Sequence, residues 1–364
     1  MYLLRSLLAL ALFSTPLFTF AGNLDISPTT TLDALTSNNT SASNSFPTAN
    51  GNRSAGNVSK VNVHSLLYPG ATTKVFAHVV LWFGKHDHMD IGYSSSDAAQ
   101  VKRQITDMIS RGIDGVVMVW YGPTTSTDKA AQLIMNEAEQ HPGFTFALMI
   151  DHGAILWHSC PGCSPQQALQ QQLQYIEQTY FQSPAYYRFN GQPVVTNFDI
   201  DLFYKIDWNA LKSSLPSNPN FIFQNTSGFS HPVSDGAYSW VMPTSSAYGL
   251  SYLKNFYEVA TAHPGTAGLG AAYKGFNDSL ASWTKHRNMG QQCGQTWLQT
   301  FSEINGLHNS TNQLPAMQLV TWNDYEEGTE IESGIDNCVS VSASVSSNSL
   351  NWNIQGNENT IDHY

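Results

Sequence analysis

Positive charge is scarce in this chain. Lysine and arginine together number 16 against 27 aspartates and glutamates, for a formal net charge of -11, and only 12% of the residues are charged. That balance gives no electrostatic grip on phosphate backbones, so nucleic acid is not expected as a partner. Long apolar runs are also missing beyond the first 21 residues, which excludes a further membrane span. No glycine-rich phosphate loop follows the first strand-like run, and no second Cys-x-x-Cys follows Cys160 and Cys163. These two absences argue against a nucleotide-binding open sheet and against a zinc or dithiol-exchange centre.

Residues 1–21 carry one early cation, Arg5, a leucine- and alanine-rich core, and Thr19, Phe20 and Ala21 ahead of Gly22. They read as a cleaved secretory signal, because Ser14, Thr15 and Pro16 interrupt a stretch already short for a membrane anchor. Export to an oxidising compartment makes two disulfides the default for the four cysteines. Three pairings are possible, and the spacing favours Cys160 with Cys163 as a tight loop staple, leaving Cys293 to meet Cys338. Residues 22–60, rich in Ser, Thr, Asn and Gly, bury too little apolar surface to offset ordering entropy and read as a linker.

From residue 75 onward, eight strand-like runs alternate with polar or amphipathic stretches. They cover residues 75–83, 115–121, 144–150, 193–199, 220–225, 237–242, 268–273 and 317–323. Helical periodicity is visible over 96–111, 166–180 and 252–262. Strand and helix alternating eight times predicts a (β/α)8 TIM barrel over residues 61–337, with an open doubly wound sheet as the alternative. Residues 338–364 change to short alternation resembling the opening strands of a fibronectin type III-like sandwich, with Trp352 at the place of the buried tryptophan. That segment is read as an accessory module cut short, with an ordinary C-terminal extension packed on the barrel as the alternative.

In a barrel of this kind the carboxyl ends of the strands build the pocket. Those ends carry Trp82, Trp120, Tyr121, Asp151, His152, Asp199, Asp201, Asn225, Trp240, Tyr273, Lys274 and Asp324. Rings there would cover sugar C–H faces, and Asp151, Asp199 and Asn225 would bind hydroxyls. The last run stops at a tryptophan and five acids within nine positions: Asp324, Glu326, Glu327, Glu330 and Glu332. Glycosidic cleavage needs a protonated acid at the leaving oxygen and a second carboxylate as base or nucleophile. Crowding raises the pKa of the most buried acid, so Glu327 is assigned as proton donor and Asp324 as base or nucleophile. Glu326 is expected to contact sugar hydroxyls or a neighbouring cation, and Glu330 and Glu332 to be helix-start or surface acids.

The string TWNDYEEGTEIE resembles the eighth-strand motif Trp-Asn-Asp-Tyr-x-Glu of glycoside hydrolase family 71, the endo-α-1,3-glucanases. It resembles more loosely the Glu-x-x-Glu-Gly-Thr motif of family 99, the endo-α-mannosidases. VFAHVVLWF at 75–83 is similar to the first strand of the family 71 barrel, with His78 matching its Ala-His, and GQPVVTNFD at 191–199 is similar to its fourth. The resemblance implies a glycosidase barrel with carboxylates at Asp324 and Glu327, and it adds His78, Trp322 and Asn323 to the substrate-binding candidates. Glu326 stands where family 71 usually shows glycine, Gly328 and Thr329 follow as in family 99, and Asp324 replaces that family's first, longer glutamate.

A poly- or oligosaccharide substrate, no cofactor, no resident metal and a monomer are therefore expected. Two other classes compete. A metal-dependent barrel hydrolase is suggested by His86-Asp87-His88 after the first strand together with Asp324 after the eighth, but no histidine ends the sixth run and His231 falls well beyond the fifth. A non-catalytic glycan-binding protein would keep the aromatics and tolerate loss of the acids.

Overall fold

A computed structural model of the chain describes residues 61–84, 88–244, 246–281 and 284–356. The signal and linker expected over 1–60, His86 and Asp87 of the candidate metal motif, and the final residues Ile361 to Tyr364 lie outside the described residues.

Eight parallel strands follow one another around a closed ring: β1 Lys74–Val79, β2 Gly115–Trp120, β3 Thr145–Asp151, β4 Gln192–Phe198, β5 Asn220–Gln224, β6 Gly236–Tyr238, β7 Ala267–Ala272 and β8 Ala316–Leu319. Lys74 pairs with Ala316 and Phe76 with Gly115, so β8 closes on β1 and no edge is left open. This is the expected (β/α)8 TIM barrel, and ring closure excludes the open-sheet alternative.

Alternation along the strands sorts the apolar residues into two layers. Phe76, Val117, Met149, Val194, Ile222, Tyr238, Leu269 and Ala316 fill the barrel interior. Their neighbours, such as Val75, Val116, Leu148, Val195 and Phe221, face the surrounding helices. Those helices include α1 Ala98–Ser110, α2 Ser126–Ala138, α3 Pro165–Thr179, α4 Trp208–Ser213, α5 Leu250–Ala262 and α6 Gln295–Leu307. Local chemistry starts them where they start. The Asp97 side chain accepts from the Ala99 amide at the head of α1, whose buried stripe is Val101, Ile105 and Met108. Ser164 and Gln167 form a reciprocal capping box on α3, with Pro165 in the first turn, where its missing N–H costs nothing.

Strands one and eight end earlier than the sequence pattern suggests, at Val79 and Leu319. Beyond them a side chain takes over the pairing: Asn323 Oδ1 accepts from the Val80 amide at 2.9 Å and Asn323 Nδ2 donates to the Val80 carbonyl at 3.0 Å. Both expected disulfides are present, Cys160–Cys163 and Cys293–Cys338. After Cys338 the chain forms a hairpin, Ser340–Ser346 with Ser349–Gln355. Trp352, expected to be buried, is 52% exposed there, because no second sheet covers the hairpin among the described residues.

Candidate active site

All five acids of residues 324–332 follow β8, and the residues around them divide them sharply. Glu326 is buried and accepts from Trp82 Nε1 at 3.1 Å, His88 Nδ1 at 3.0 Å and the Met89 amide at 3.1 Å. Glu330 pairs with Lys274 Nζ at 2.8 Å, and Lys274 also donates to the Gly334 carbonyl at 3.2 Å. Glu332 accepts from the Tyr93 hydroxyl at 2.7 Å and from Gln104 Nε2 at 3.0 Å. Glu330 and Glu332 therefore neither start a helix nor sit on the surface. They anchor the loop, because a buried carboxylate needs donors to replace lost water. Arg111 completes the anchoring by donating to the carbonyls of Ile331 and Glu332 while bonding Asp107.

Asp324 and Glu327 are treated differently. Asp324 Oδ1 accepts from the amides of Glu326 and Glu327, at 3.1 and 3.0 Å, and its own amide bonds Thr321 Oγ1 at 2.9 Å. Among the described residues no cation forms an ion pair with either carboxylate. Burial, and then the charge of Glu327, push the Asp324 carboxyl well above the ordinary range. Burial raises Glu327 to about 7 against the pull of Arg287, with Asp278 and Glu326 adding to the rise. The more buried of the two is Asp324, not Glu327 as crowding alone suggested, and their like charges disfavour ionising both at once. The two amide bonds favour the anion on Asp324, and protonating Glu327 removes the repulsion that raises its partner. The arrangement can therefore present one acid and one carboxylate together. Arg287 and Asp278, bonded to each other at 2.8 Å, set this balance and carry no motif that sequence reasoning could have used.

Around the pair, Trp82, Tyr121 and Trp240 are partly exposed at the open end. Tyr121 meets the Trp82 ring edge-on at 6.0 Å, hydrogen-bonds Asp151, and lies within electrostatic reach of Asp324. Asp151 also accepts from the Gly153 amide at 2.7 Å; burial raises its carboxyl, and the neighbouring Asp199 adds to the rise. Burial raises Asp199 as well. His78 lies inside the barrel under Trp240, with ring centroids 4.5 Å apart, and burial lowers its pKa to about 3, so the imidazole is neutral. Gln318 faces His78 in this layer, and Thr196 Oγ1 is buried there without a protein partner.

Other expected wall residues are placed elsewhere. Trp120 belongs to the outward set of β2, with its indole N–H on Asp128 at 3.0 Å and its ring stacked on Tyr175. Trp322 is fully buried with the Arg111 guanidinium 5.2 Å above its ring. Tyr273 is fully buried and donates to the Tyr248 carbonyl at 2.8 Å. Asn323 is spent on Val80. Asn225 accepts from the Tyr252 hydroxyl at 2.8 Å, while the same hydroxyl accepts from the Trp240 amide, so Asn225 acts on the pocket through Trp240. Asp201 accepts from Trp208 Nε1 at 2.7 Å and faces His231 at 3.5 Å.

For a metal, no group of three or more His, Cys, Asp or Glu side chains is placed to hold one among the described residues. His88, the described member of the histidine motif, faces Glu326.

The model of glycosyl hydrolase family 71 matches residues 72–353. No curated protein matches the chain. Among solved structures, the chain is similar to the family 99 endo-α-mannosidase from Bacteroides thetaiotaomicron in complex with Bis-Tris-propane. The TM-score is 0.58 at 19% identity, over 72% of this chain and 87% of that one. A second structure of that enzyme gives a TM-score of 0.56 at 18% identity, over 73% and 89%. A glycoside hydrolase-like protein gives 0.55 at 12% identity, over 72% and 88%. At these identities the structural likeness concerns the fold.

Proposed function

Since the chain belongs to glycosyl hydrolase family 71 and is a glycoside hydrolase, we propose that it is a secreted enzyme cleaving α-linked polysaccharide, with α-1,3-glucan cut internally as its substrate. The observation that carries this reading is the division of the five acids. Three are fixed by donors from neighbouring elements, and Asp324 and Glu327 remain as a pair of acids beside a partly exposed aromatic rim. Glu327 donates a proton to the leaving glycosidic oxygen, and Asp324 acts as the base or nucleophile. Trp82, Tyr121 and Trp240 pack on sugar C–H surfaces, and Asp151 and Asp199 accept from hydroxyls. Secretion is supported by the N-terminal 21 residues and by two disulfides in a family of extracellular chemistry.

α-Mannan is the second substrate to weigh, because Gly328 and Thr329 follow Glu327 as in family 99. Incubating the enzyme with α-glucans and α-mannans, and reading product size and anomer by NMR, separates the two. Oligosaccharides released from α-1,3-glucan are expected. Release from α-mannan alone would move the substrate, and no release from any α-glycan would sink the reading.

A further inference from the structure

β3 and β4 each continue into a short helix at the open end of the barrel, His152–His158 and Ile200–Phe203. In the ring of eight, β4 stands four strands from β8 and β3 three, so these helices lie on the far side of the mouth from Asp324 and Glu327. Each presents a large ring to solvent, with Trp157 62% and Phe203 55% exposed.

Neither ring stands alone. Trp157 stacks on Tyr121 at 5.7 Å and 23°, and Phe203 stacks on His152 at 4.2 Å and 17°. The first pair depends on a missing side chain. A β-carbon at Gly153 would come within 2.4 Å of Trp157 Cζ3 and 2.5 Å of Tyr121 Cε1. Asp151, one residue before His152, bonds Tyr121, and Asp199, one residue before the second helix, lies within its electrostatic reach. Tyr121 belongs to both places, since it also meets Trp82 on the side of the acids. Exposed ring faces held rigid beside carboxylate acceptors suit a pyranose, which offers C–H faces to rings and hydroxyls to acids.

We propose that Trp157 and Phe203, with Asp151 and Asp199 beside them, form a distal sugar subsite that holds the glycan chain beyond the unit being cleaved; this rests on the glycan-cleaving reading above. Such a subsite makes turnover depend on chain length, because only a long substrate reaches it while its scissile bond lies at Asp324 and Glu327.

The test uses the full chain and a ladder of α-1,3-gluco-oligosaccharides, or of α-manno-oligosaccharides if mannan is the substrate found. Trp157→Ala and Phe203→Ala should each lower kcat/KM about tenfold on the longest members, the scale of a lost aromatic contact. The loss should shrink step by step as the substrate shortens. Trp157→Phe, which keeps a ring face, should recover most of it. Melting temperatures should fall by no more than the loss of one surface stacking contact, because both rings are largely exposed. A loss equal at every length, or no loss, would overturn the subsite while leaving the enzyme's function standing. Leu156 and Leu202 are exposed on the same helices. If the alanine variants lose adhesion to phosphatidylcholine vesicles while the ladder is unchanged, the face serves a membrane instead. A wild-type enzyme that cleaves no α-glycan would refute the functional reading and the subsite together.

Discussion

Two sets of acids share residues 324–332, and they differ in what surrounds them rather than in their own chemistry. Glu326, Glu330 and Glu332 each meet donors brought by other elements: Trp82 and His88 after β1, Lys274 after β7, and Gln104 on α1. Asp324 meets backbone amides and the charge of Glu327, whereas Glu327 feels the charges of Arg287, Asp278 and Glu326 without a side-chain donor among the described residues. A carboxylate with donors is a fixture of the fold, whereas one raised by burial and a like charge is poised to exchange a proton. The same nine residues thus hold both the scaffold and the proposed chemistry.

Removing the poised pair should have the largest effect. Asp324→Asn and Glu327→Gln are each expected to lower kcat by about a thousandfold or more, within or above the range for a positioned acid or base. Circular dichroism and glycan affinity should stay near wild type. If either variant keeps full activity, the assignment of the pair is wrong.

Breaking the anchored set should instead cost stability. Lys274→Met leaves Glu330 buried without its cation, and the loss should be about 3 kcal/mol in urea unfolding, as for other broken buried pairs. A change below about 0.5 kcal/mol would show that Glu330 finds other donors or water.

The subtlest difference between the sets is in pH dependence. As the proton donor, Glu327 must be protonated, so the rate should fall as pH rises through about 7. A substrate with an aryl leaving group needs no proton and should flatten that limb. Stability should follow the same sign. A carboxyl raised in the folded state stabilises the fold below its unfolded pKa, and that contribution is lost as pH rises through the folded value. The wild-type melting temperature should therefore drop between the ordinary carboxylate range and about pH 7, and Glu327→Gln should show a smaller drop. An equal drop in the two proteins would show that other groups carry the slope.

Much of the fold was legible because it depends on local patterns. The eight apolar runs, the helical periodicity over 96–111, 166–180 and 252–262, and the cysteine spacing each state a local preference, and closure into a ring satisfies all of them. The site was legible in part. Strand ends pointed to Trp82, Tyr121, Asp151, Asp199 and the β8 acids. The same rule misplaced Trp120, which lies in the outward series of Val116 and Met118 and so turns to the helices. Alternation along β2 could have shown this. Trp322 and Asn323 could not be placed that way, since they lie past the end of β8, where periodicity stops.

By itself the sequence determined the barrel, favoured the disulfide pairing that the structure shows, and marked the stretch that holds the proposed catalytic pair, because strand periodicity, cysteine spacing and charge crowding are properties of neighbours along the chain. Only the tertiary structure decided which acids are anchors. That depends on donors from β1, β7 and α1, which lie far away in sequence and which ring closure brings to the end of β8. Glu326 shows it most plainly: expected to touch sugar or a cation, it is held by Trp82, His88 and Met89, residues more than two hundred positions earlier.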